Sequence, residues 1–177
     1  MQYTSRYESP LGGILLAADE SGLTGLWFEG QKYFALYLDK ENEEKELPIF
    51  EQARKWLDIY FSGKEPGFKL PLHFTGSAFQ REVWEILYQI PYGQTVTYGD
   101  IASQLAEKKG LDRMSAQAVG GAVARNAISI IVPCHRVVGR NGSLTGYAGG
   151  IDKKIALLKM EKGYQDTFFV PRRSTAP

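Results

Sequence analysis

The chain carries a single cysteine, Cys134, and two histidines, His73 and His135. One cysteine excludes an internal disulfide, and one cysteine with two well-separated histidines offers too few soft ligands for a structural zinc site. Long apolar runs are absent as well. No stretch approaches the roughly 18 to 20 consecutive apolar residues of a membrane span, and the polar start "MQYTSRYESP" lacks the apolar region of a signal peptide. The chain therefore reads as a soluble, cytoplasmic protein with no membrane partner. A surplus of one sign of charge is also missing, the net charge being +1, but the two parts of the chain differ. Residues 1–74 hold 8 basic against 12 acidic side chains and residues 75–177 hold 13 against 8, which makes the second part the candidate for an anionic partner.

What is present suffices for one sizeable domain or two small ones: 177 residues, 44% of them hydrophobic and 12% aromatic. In "GGILLAADESGLTGLWFEG" short apolar runs are broken by glycines, and Ser21-Gly22 separates two strand-like segments of a small antiparallel sheet. The acidic "DKENEEKEL" reads as a solvated loop. "PIFEQARKWLDIYFSG" then sets Phe50, Ala53, Trp56, Leu57, Tyr60 and Phe61 at helical spacing, with Gly63 as the stop. "KEPGFKLP" breaks all periodicity, so the domain boundary is placed near it: an N-terminal domain over residues 1–70, a second domain over 75–165 and a tail over 166–177.

The second part is mostly helical in pattern, which makes the expected class α+β. Ser77 and Gln80 stand in capping-box register ahead of an apolar face of Phe79, Val83, Trp84, Leu87 and Ile90, and Pro91-Tyr92-Gly93 stops that helix. Thr97 and Asp100 repeat the capping signal before "YGDIASQLA", whose Ile101, Ala102 and Leu105 face inward. After the basic loop "EKKGLDR", Ser115 caps a third helix, "AQAVGGAVAR". Two short helices joined by a loop, the second rich in small residues, form a helix-turn-helix pattern, although the loop exceeds the usual three or four residues. Gly120-Gly121 inside the third helix costs roughly 1 kcal/mol per glycine relative to alanine, so either close helix packing or a bulky partner such as a DNA strand must need the space. Asn126, which tolerates the left-handed conformation and can tie a turn through its amide, ends the helix.

The cysteine lies in "ISIIVPCHRVVG", an apolar run in which Pro133 fixes the backbone just before it. A buried, inert cysteine is one reading, since free cysteine is among the most buried residue types. Its neighbours His135 and Arg136 favour the other, because both are costly to bury without partners and both stabilise a thiolate over a thiol. The glycine-rich "GRNGSLTGYAGG" follows as a pocket rim, and then a last helix, "IDKKIALLKMEKG". Glu161 sits near the C-terminal end of that helix. A carboxylate there opposes the macrodipole, which points to a partner for Glu161 elsewhere.

Taken together, "VTYGDIA", "AVGGAVARN", "PCHRV", "NGSLTGYAGG" and "LLKMEKG", in this order, resemble the O6-alkylguanine-DNA alkyltransferases, also called methylated-DNA-protein-cysteine methyltransferases. The likeness covers nearly all of residues 77–164, and "ESPLG" near the start is similar to the family's N-terminal domain. It implies a winged-helix-like catalytic domain behind an N-terminal α/β support domain. The implied activity is stoichiometric repair: transfer of an alkyl group from guanine O6, with O4 of thymine as a second candidate, onto the protein. The expected partner is double-stranded DNA containing O6-alkylguanine, bound by a monomer that needs no cofactor and no metal.

The resemblance also implies roles. Cys134 would be the nucleophile, His135 would draw its proton through a water, and Glu161 would orient the imidazole. Tyr98 would donate to guanine N3. The carbonyls at Cys134 and Val137 would accept from the guanine amine, the backbone at Tyr147 and Ala148 would close the pocket, Asn126 would tie the third helix to the cysteine loop, and Lys154 would support the pocket's far side. Because the target atom lies inside a duplex, the nucleotide must be flipped out at a cost of about a few kcal/mol. In this family the second helix of the helix-turn-helix lies in the minor groove, and here Ala118, Gly121 and Ala122 would let its backbone come close. One departure stands out: where many members carry an arginine finger on that helix, this sequence has Gln117. Lys108, Lys109 and Arg113 of the inserted "EKKGLDRM" are candidates for the missing charge, and Arg113 or Arg125 for the finger itself.

Three rival readings are weaker. An alkyltransferase-like lesion binder would have the cysteine replaced. A cysteine hydrolase usually brings its histidine from far along the chain rather than from the next position. A bifunctional regulator would need a further cysteine-rich metal domain.

Overall fold

The computed structural model describes residues 1–172; the last five positions of the expected tail lie outside the described residues. The chain divides into two units, Met1–Gly76 with Ala127–Ser129, and Ser77–Asn126 with the residues from Ile130 onward.

In the first unit β1 (Gln2–Ser9), β2 (Gly12–Asp19) and β3 (Gly22–Phe28) form an antiparallel meander, with Ser9 opposite Gly12 and Asp19 opposite Gly22 at the two hairpins. The acidic run is not wholly a loop. Asn42–Glu44 form β4, which pairs parallel to β1 and completes the order β3-β2-β1-β4. Its three side chains are exposed, and the strand exists through its backbone hydrogen bonds, which leave no periodicity to read. All seven residues of β3 are buried, and its outer edge is covered. Leu23 donates to the Pro71 carbonyl and accepts from His73, while Leu26 donates to Ala127 and accepts from Ser129. α1 (Pro48–Phe61) starts with proline in its first turn, where no amide hydrogen is needed, and buries Phe50, Ala53, Leu57 and Tyr60.

The second unit holds α2 (Ala78–Tyr88), α3 (Tyr98–Lys109), α4 (Ala116–Ala124) and α5 (Ile151–Met160). Both expected capping boxes are formed, Ser77 with Gln80 and Thr97 with Asp100, and the Ser115 hydroxyl accepts from the Ala118 amide. Gly110, left-handed at φ 67°, terminates α3 and lets the chain turn toward α4. The Trp84 indole of α2 donates to the Ala122 carbonyl of α4 at 2.9 Å, fixing the helix-turn-helix on its supporting helix. β5 (Val96–Thr97) and β6 (Val137–Val138) pair in parallel, Val96 with Val137 and Thr97 with Val138.

Residues 166–172 stay on this unit. Phe168 joins Val138, Leu144 and Leu158 in a buried cluster against Ile155 and Tyr164, and Phe169 exchanges backbone hydrogen bonds with Gly142 and Leu144. Emptying this position should therefore be costly: Phe168→Ala is expected to destabilise the second unit by roughly 3 kcal/mol, read from denaturant unfolding against the parent protein.

Candidate active site

The cysteine turn is fixed before any charge is considered. Pro133 has φ −83° and ψ 67°, which brings the Cys134 amide to the Val132 carbonyl at 2.8 Å. The Asn126 side-chain amide donates to the same carbonyl at 2.7 Å. Cys134–Arg136 then make a 3-10 turn closed by the Val137 amide on the Cys134 carbonyl, and the chain passes directly into β6. Its ladder partner β5 ends at the residue before Tyr98. A two-residue parallel ladder thus sets the cysteine turn and the start of α3 side by side.

Behind the turn lies a buried charge cluster centred on Glu161. His135 Nε2 meets Glu161 Oε2 at 2.5 Å, and Arg136 Nε donates to Oε1 at 2.7 Å. Arg136 also donates through Nη1 to the Ile90 carbonyl at 2.6 Å, and the Gly93 amide approaches Oε1 at 3.5 Å. Gly93 has φ 79°, and a Cβ there would come within 3.1 Å of the Glu161 carbonyl, so glycine serves both conformation and approach. Burial by itself raises the Glu161 carboxyl, but the hydrogen bonds and charges of His135 and Arg136 outweigh it and hold the group well below the usual carboxylate range. Glu161 is therefore ionised. Burial pushes the His135 imidazole down, so the resting ring is neutral despite its carboxylate neighbour. With Nε2 given to Glu161, Nδ1 is the nitrogen available for proton uptake.

Cys134 is buried, and burial pushes its thiol up, against the opposing pull of Asn126 and Lys154. This corrects the simple expectation that His135 and Arg136 make a standing thiolate: Arg136 is spent on Glu161 and Ile90, and His135 is uncharged at rest. Lys154 is wholly buried and donates to the carbonyls of Val137 and Thr145, the latter at 2.8 Å. Burial brings its ammonium down to about 8, with Cys134 acting the other way. The Tyr98 phenol donates to the same Thr145 carbonyl at 3.1 Å; burial first, and then the Cys134 charge, raise it far above the ordinary phenol range, so it remains a donor at every working pH. Tyr98 and Thr145 line a cavity of about 720 Å³ whose other walls include Gln117 and Gly120 of α4 and Gly139 and Arg140 of the glycine-rich loop.

Two family models match this chain: the 6-O-methylguanine DNA methyltransferase DNA binding domain over residues 78–163, and the 6-O-methylguanine DNA methyltransferase ribonuclease-like domain over residues 2–74. The chain belongs to the 6-O-methylguanine DNA methyltransferase family. The methylated-DNA--protein-cysteine methyltransferase of Methanosarcina acetivorans is 47% identical over 161 residues, covering 90% of this chain and 97% of the relative. The constitutive enzyme of that name from Bacillus subtilis is 39% identical over 164 residues, covering 92% and 96%. A crystal structure of Mycobacterium tuberculosis OGT in complex with DNA matches at a TM-score of 0.76 and 40% identity, over 91% of this chain and 92% of that one.

On this methyltransferase fold the residues singled out from the sequence fall into three groups. Cys134, His135, Glu161, Tyr98, Asn126, Val137 and Lys154 are joined through the turn, the ladder and the hydrogen bonds just described. Tyr147 is buried and its ring stands edge-on to His135 at 6.4 Å between centroids, with Ala148 half-buried beside it in sequence. On α4, Gln117 and Ala118 are exposed and Gly121 is half-buried, where an added Cβ would meet nothing nearer than the Arg125 guanidinium at 3.4 Å. Internal packing thus does not explain Gly121. Ala122 is a correction: it is 4% exposed and faces α2 through its bond with Trp84, so it belongs to the core rather than to the open face. Arg125 is half-buried and donates to the Gly121 carbonyl at 3.0 Å, Arg113 and Lys108 are exposed, and Lys109 is engaged with Glu82 at 3.1 Å.

Reading residues one at a time missed the work of Arg136, of the Thr145 carbonyl and of Gly93. A cation two positions after the cysteine and a glycine two positions after proline were visible signals, but their partner Glu161 is 25 and 68 positions away.

If Glu161 stabilises the imidazolium that forms as Cys134 loses its proton, Glu161→Gln should slow single-turnover transfer roughly a hundredfold and displace the pH-rate profile upward. The sign follows from charge: a neutral amide lowers the basicity of His135 and so raises the pH needed to form thiolate. The rate should be followed from pH 6 to 10, with a melting curve of the variant as the control for folding. An unchanged profile would remove Glu161 from the proton path.

Proposed function

We propose that this protein repairs DNA by transferring an alkyl group from guanine O6, in a nucleotide flipped out of the duplex, to Cys134, once per molecule. The observation that carries this reading is a buried cysteine followed directly by a histidine bonded to an ionised carboxylate, with a phenol that keeps its proton at the wall of a cavity large enough to admit a nucleotide.

The Cys134 proton passes toward His135 Nδ1, and Glu161 compensates the imidazolium. Sulfur then attacks the alkyl carbon in line; the carbon–sulfur bond forms as the carbon–O6 bond breaks, and the electron pair moves onto the purine. Tyr98 turns its hydrogen bond from Thr145 to guanine N3 and offsets that charge. The proton lost by Cys134 ends on the guanine, which leaves neutral. Lys154 and Asn126 brace the turn, Tyr147 and Ala148 close the pocket, and the Cys134 and Val137 carbonyls, each with a lone pair beyond its present bond, accept from the base. The product thioether is a poor leaving group, so each molecule acts once.

Residues 75–165 carry binding and chemistry in this reading and residues 1–70 support them. Gln117, Ala118 and Gly121 meet the minor groove, with Arg113 and Arg125 nearby. No helix among the described residues is long and apolar enough to cross a membrane. The protein acts in the cytoplasm as a monomer, without cofactor or metal.

Incubation with a duplex holding O6-methylguanine should add one methyl group to the intact mass, product should plateau at one equivalent, and Cys134→Ser should abolish transfer while retaining duplex binding. Turnover past one equivalent would refute the single-use mechanism. A separate comparison isolates the finger position. Gln117→Ala should lower the duplex rate several-fold relative to that on free O6-benzylguanine, which needs no extrusion, and Gln117→Arg should restore or exceed it. Equal losses on both substrates would assign Gln117 to the pocket or the fold.

A further inference from the structure

We infer that Arg140 grips a backbone phosphate beside the flipped nucleotide and so supplies, from the same cavity, the cation that Gln117 lacks. The inference rests on the function proposed above. Among the described residues lining the cavity, Arg140 alone carries a charge. Gln117 lines the same cavity: it stands at the start of α4, and Arg140 on the loop that follows the cysteine turn. A nucleotide drawn into this space brings its base inward and leaves its sugar and flanking phosphates at the mouth. An exposed cation at that mouth meets phosphate, whereas the neutral Gln117 can only fill the gap left in the base stack.

The backbone that carries Arg140 is held while its side chain is left to bind. Arg140–Gly142 form a 3-10 turn in which Asn141 sits at φ 62°, a left-handed position that asparagine tolerates. The Gly139 amide donates to the Ser143 carbonyl at 2.6 Å, closing the loop at its base. From behind, Phe169 donates to the Gly142 carbonyl at 3.1 Å and accepts from Leu144 at 2.8 Å, so the segment anchored by Phe168 backs the turn. The Arg140 side chain is exposed and makes no ion pair or side-chain hydrogen bond among the described residues. Of the other basic groups considered for DNA contact, Arg125 is tied to Gly121 and Lys109 to Glu82, while Arg113 and Lys108 are exposed but do not line the cavity. A guanidinium on a fixed backbone presents a planar fork matched to two phosphate oxygens, a geometry an ammonium cannot reproduce.

The test uses the full chain with two substrates, a duplex containing O6-methylguanine and free O6-benzylguanine. Arg140→Ala should weaken duplex binding roughly tenfold and make the slope of log K against log salt shallower by about 0.9, the increment for one phosphate. Its loss in transfer rate should be roughly tenfold greater on the duplex than on the free base. Arg140→Lys should keep the salt slope and recover part of the affinity, as a point charge without the fork. Adding Gln117→Arg to Arg140→Ala should restore part of the duplex rate. An unchanged salt slope in Arg140→Ala, or equal losses on both substrates, would overturn the inference while leaving the function standing. If the parent protein transferred from neither substrate, the function itself would fall, and this inference with it.

Discussion

The Glu161 carboxylate is the interaction on which the site depends. A carboxylate removed from water loses several kcal/mol of solvation even after relaxation, and it stays ionised only where enough donors surround it. Here the donors come from separate stretches of chain: His135 and Arg136 in the cysteine turn, and Gly93 in the loop after α2. Arg136 extends the link to the Ile90 carbonyl. Because Glu161 caps the C-terminal end of α5, where the macrodipole disfavours an anion, the helix itself contributes nothing to holding the charge. The hydrogen bonds must do it. Loss of Arg136 or of Glu161 would strand the other buried charge, a change that typically costs about 3–5 kcal/mol, so the ion pair also locks these segments together.

From this follows an electrostatic arrangement in which the nucleophile is kept latent. Glu161 and Arg136 neutralise one another, His135 is neutral, and Cys134 is a thiol because burial disfavours its anion. Lys154 remains as a buried cation whose proton affinity burial has lowered to about 8. The Lys154 and Cys134 charges favour one another, so a thiolate would gain a compensating charge without any movement of the chain. A persistent thiolate would be open to oxidation, whereas a thiol deprotonated as the alkyl carbon arrives is reactive only then. In the proposed reaction Tyr98 acts on the leaving-group side, since a phenol raised by burial keeps its proton and remains a donor.

The parts of this arrangement legible in the sequence were those specified within a few residues. Ser77 with Gln80, Thr97 with Asp100 and Ser115 mark the starts of α2, α3 and α4 because a cap is satisfied three residues away. The buried face of α1 shows in its spacing for the same reason. Pairings over long separations left no local trace. β4 has three exposed acidic or amide side chains and is a strand through its parallel partner β1 alone, and β5 and β6 are two-residue strands 41 positions apart. Ala122 looked like one of several small residues on a single helix face, but which side of α4 turns inward was decided by Trp84, 38 residues away. Arg136 was visible as a neighbour of the cysteine, yet adjacency in sequence said nothing of the carboxylate it would reach.

The same contrast explains how one small unit can combine exact chemistry with tolerant recognition. The groups around Cys134 are buried, hydrogen-bonded and placed by a turn, a ladder and a carboxylate hub. The open face of α4 is the opposite: Ala118 and Gly121 present little beyond backbone, and no hydrogen-bonding side chain there except Gln117 reaches into the cavity. A surface of that kind approaches a duplex closely without reading its bases, which suits a protein whose target is defined by a modified atom rather than by surrounding sequence. In the proposed function selectivity then falls to the cavity, whose wall carries the donor at Tyr98. An exposed arginine such as Arg140 can add attraction to phosphate without adding sequence preference, since every nucleotide carries the same charge.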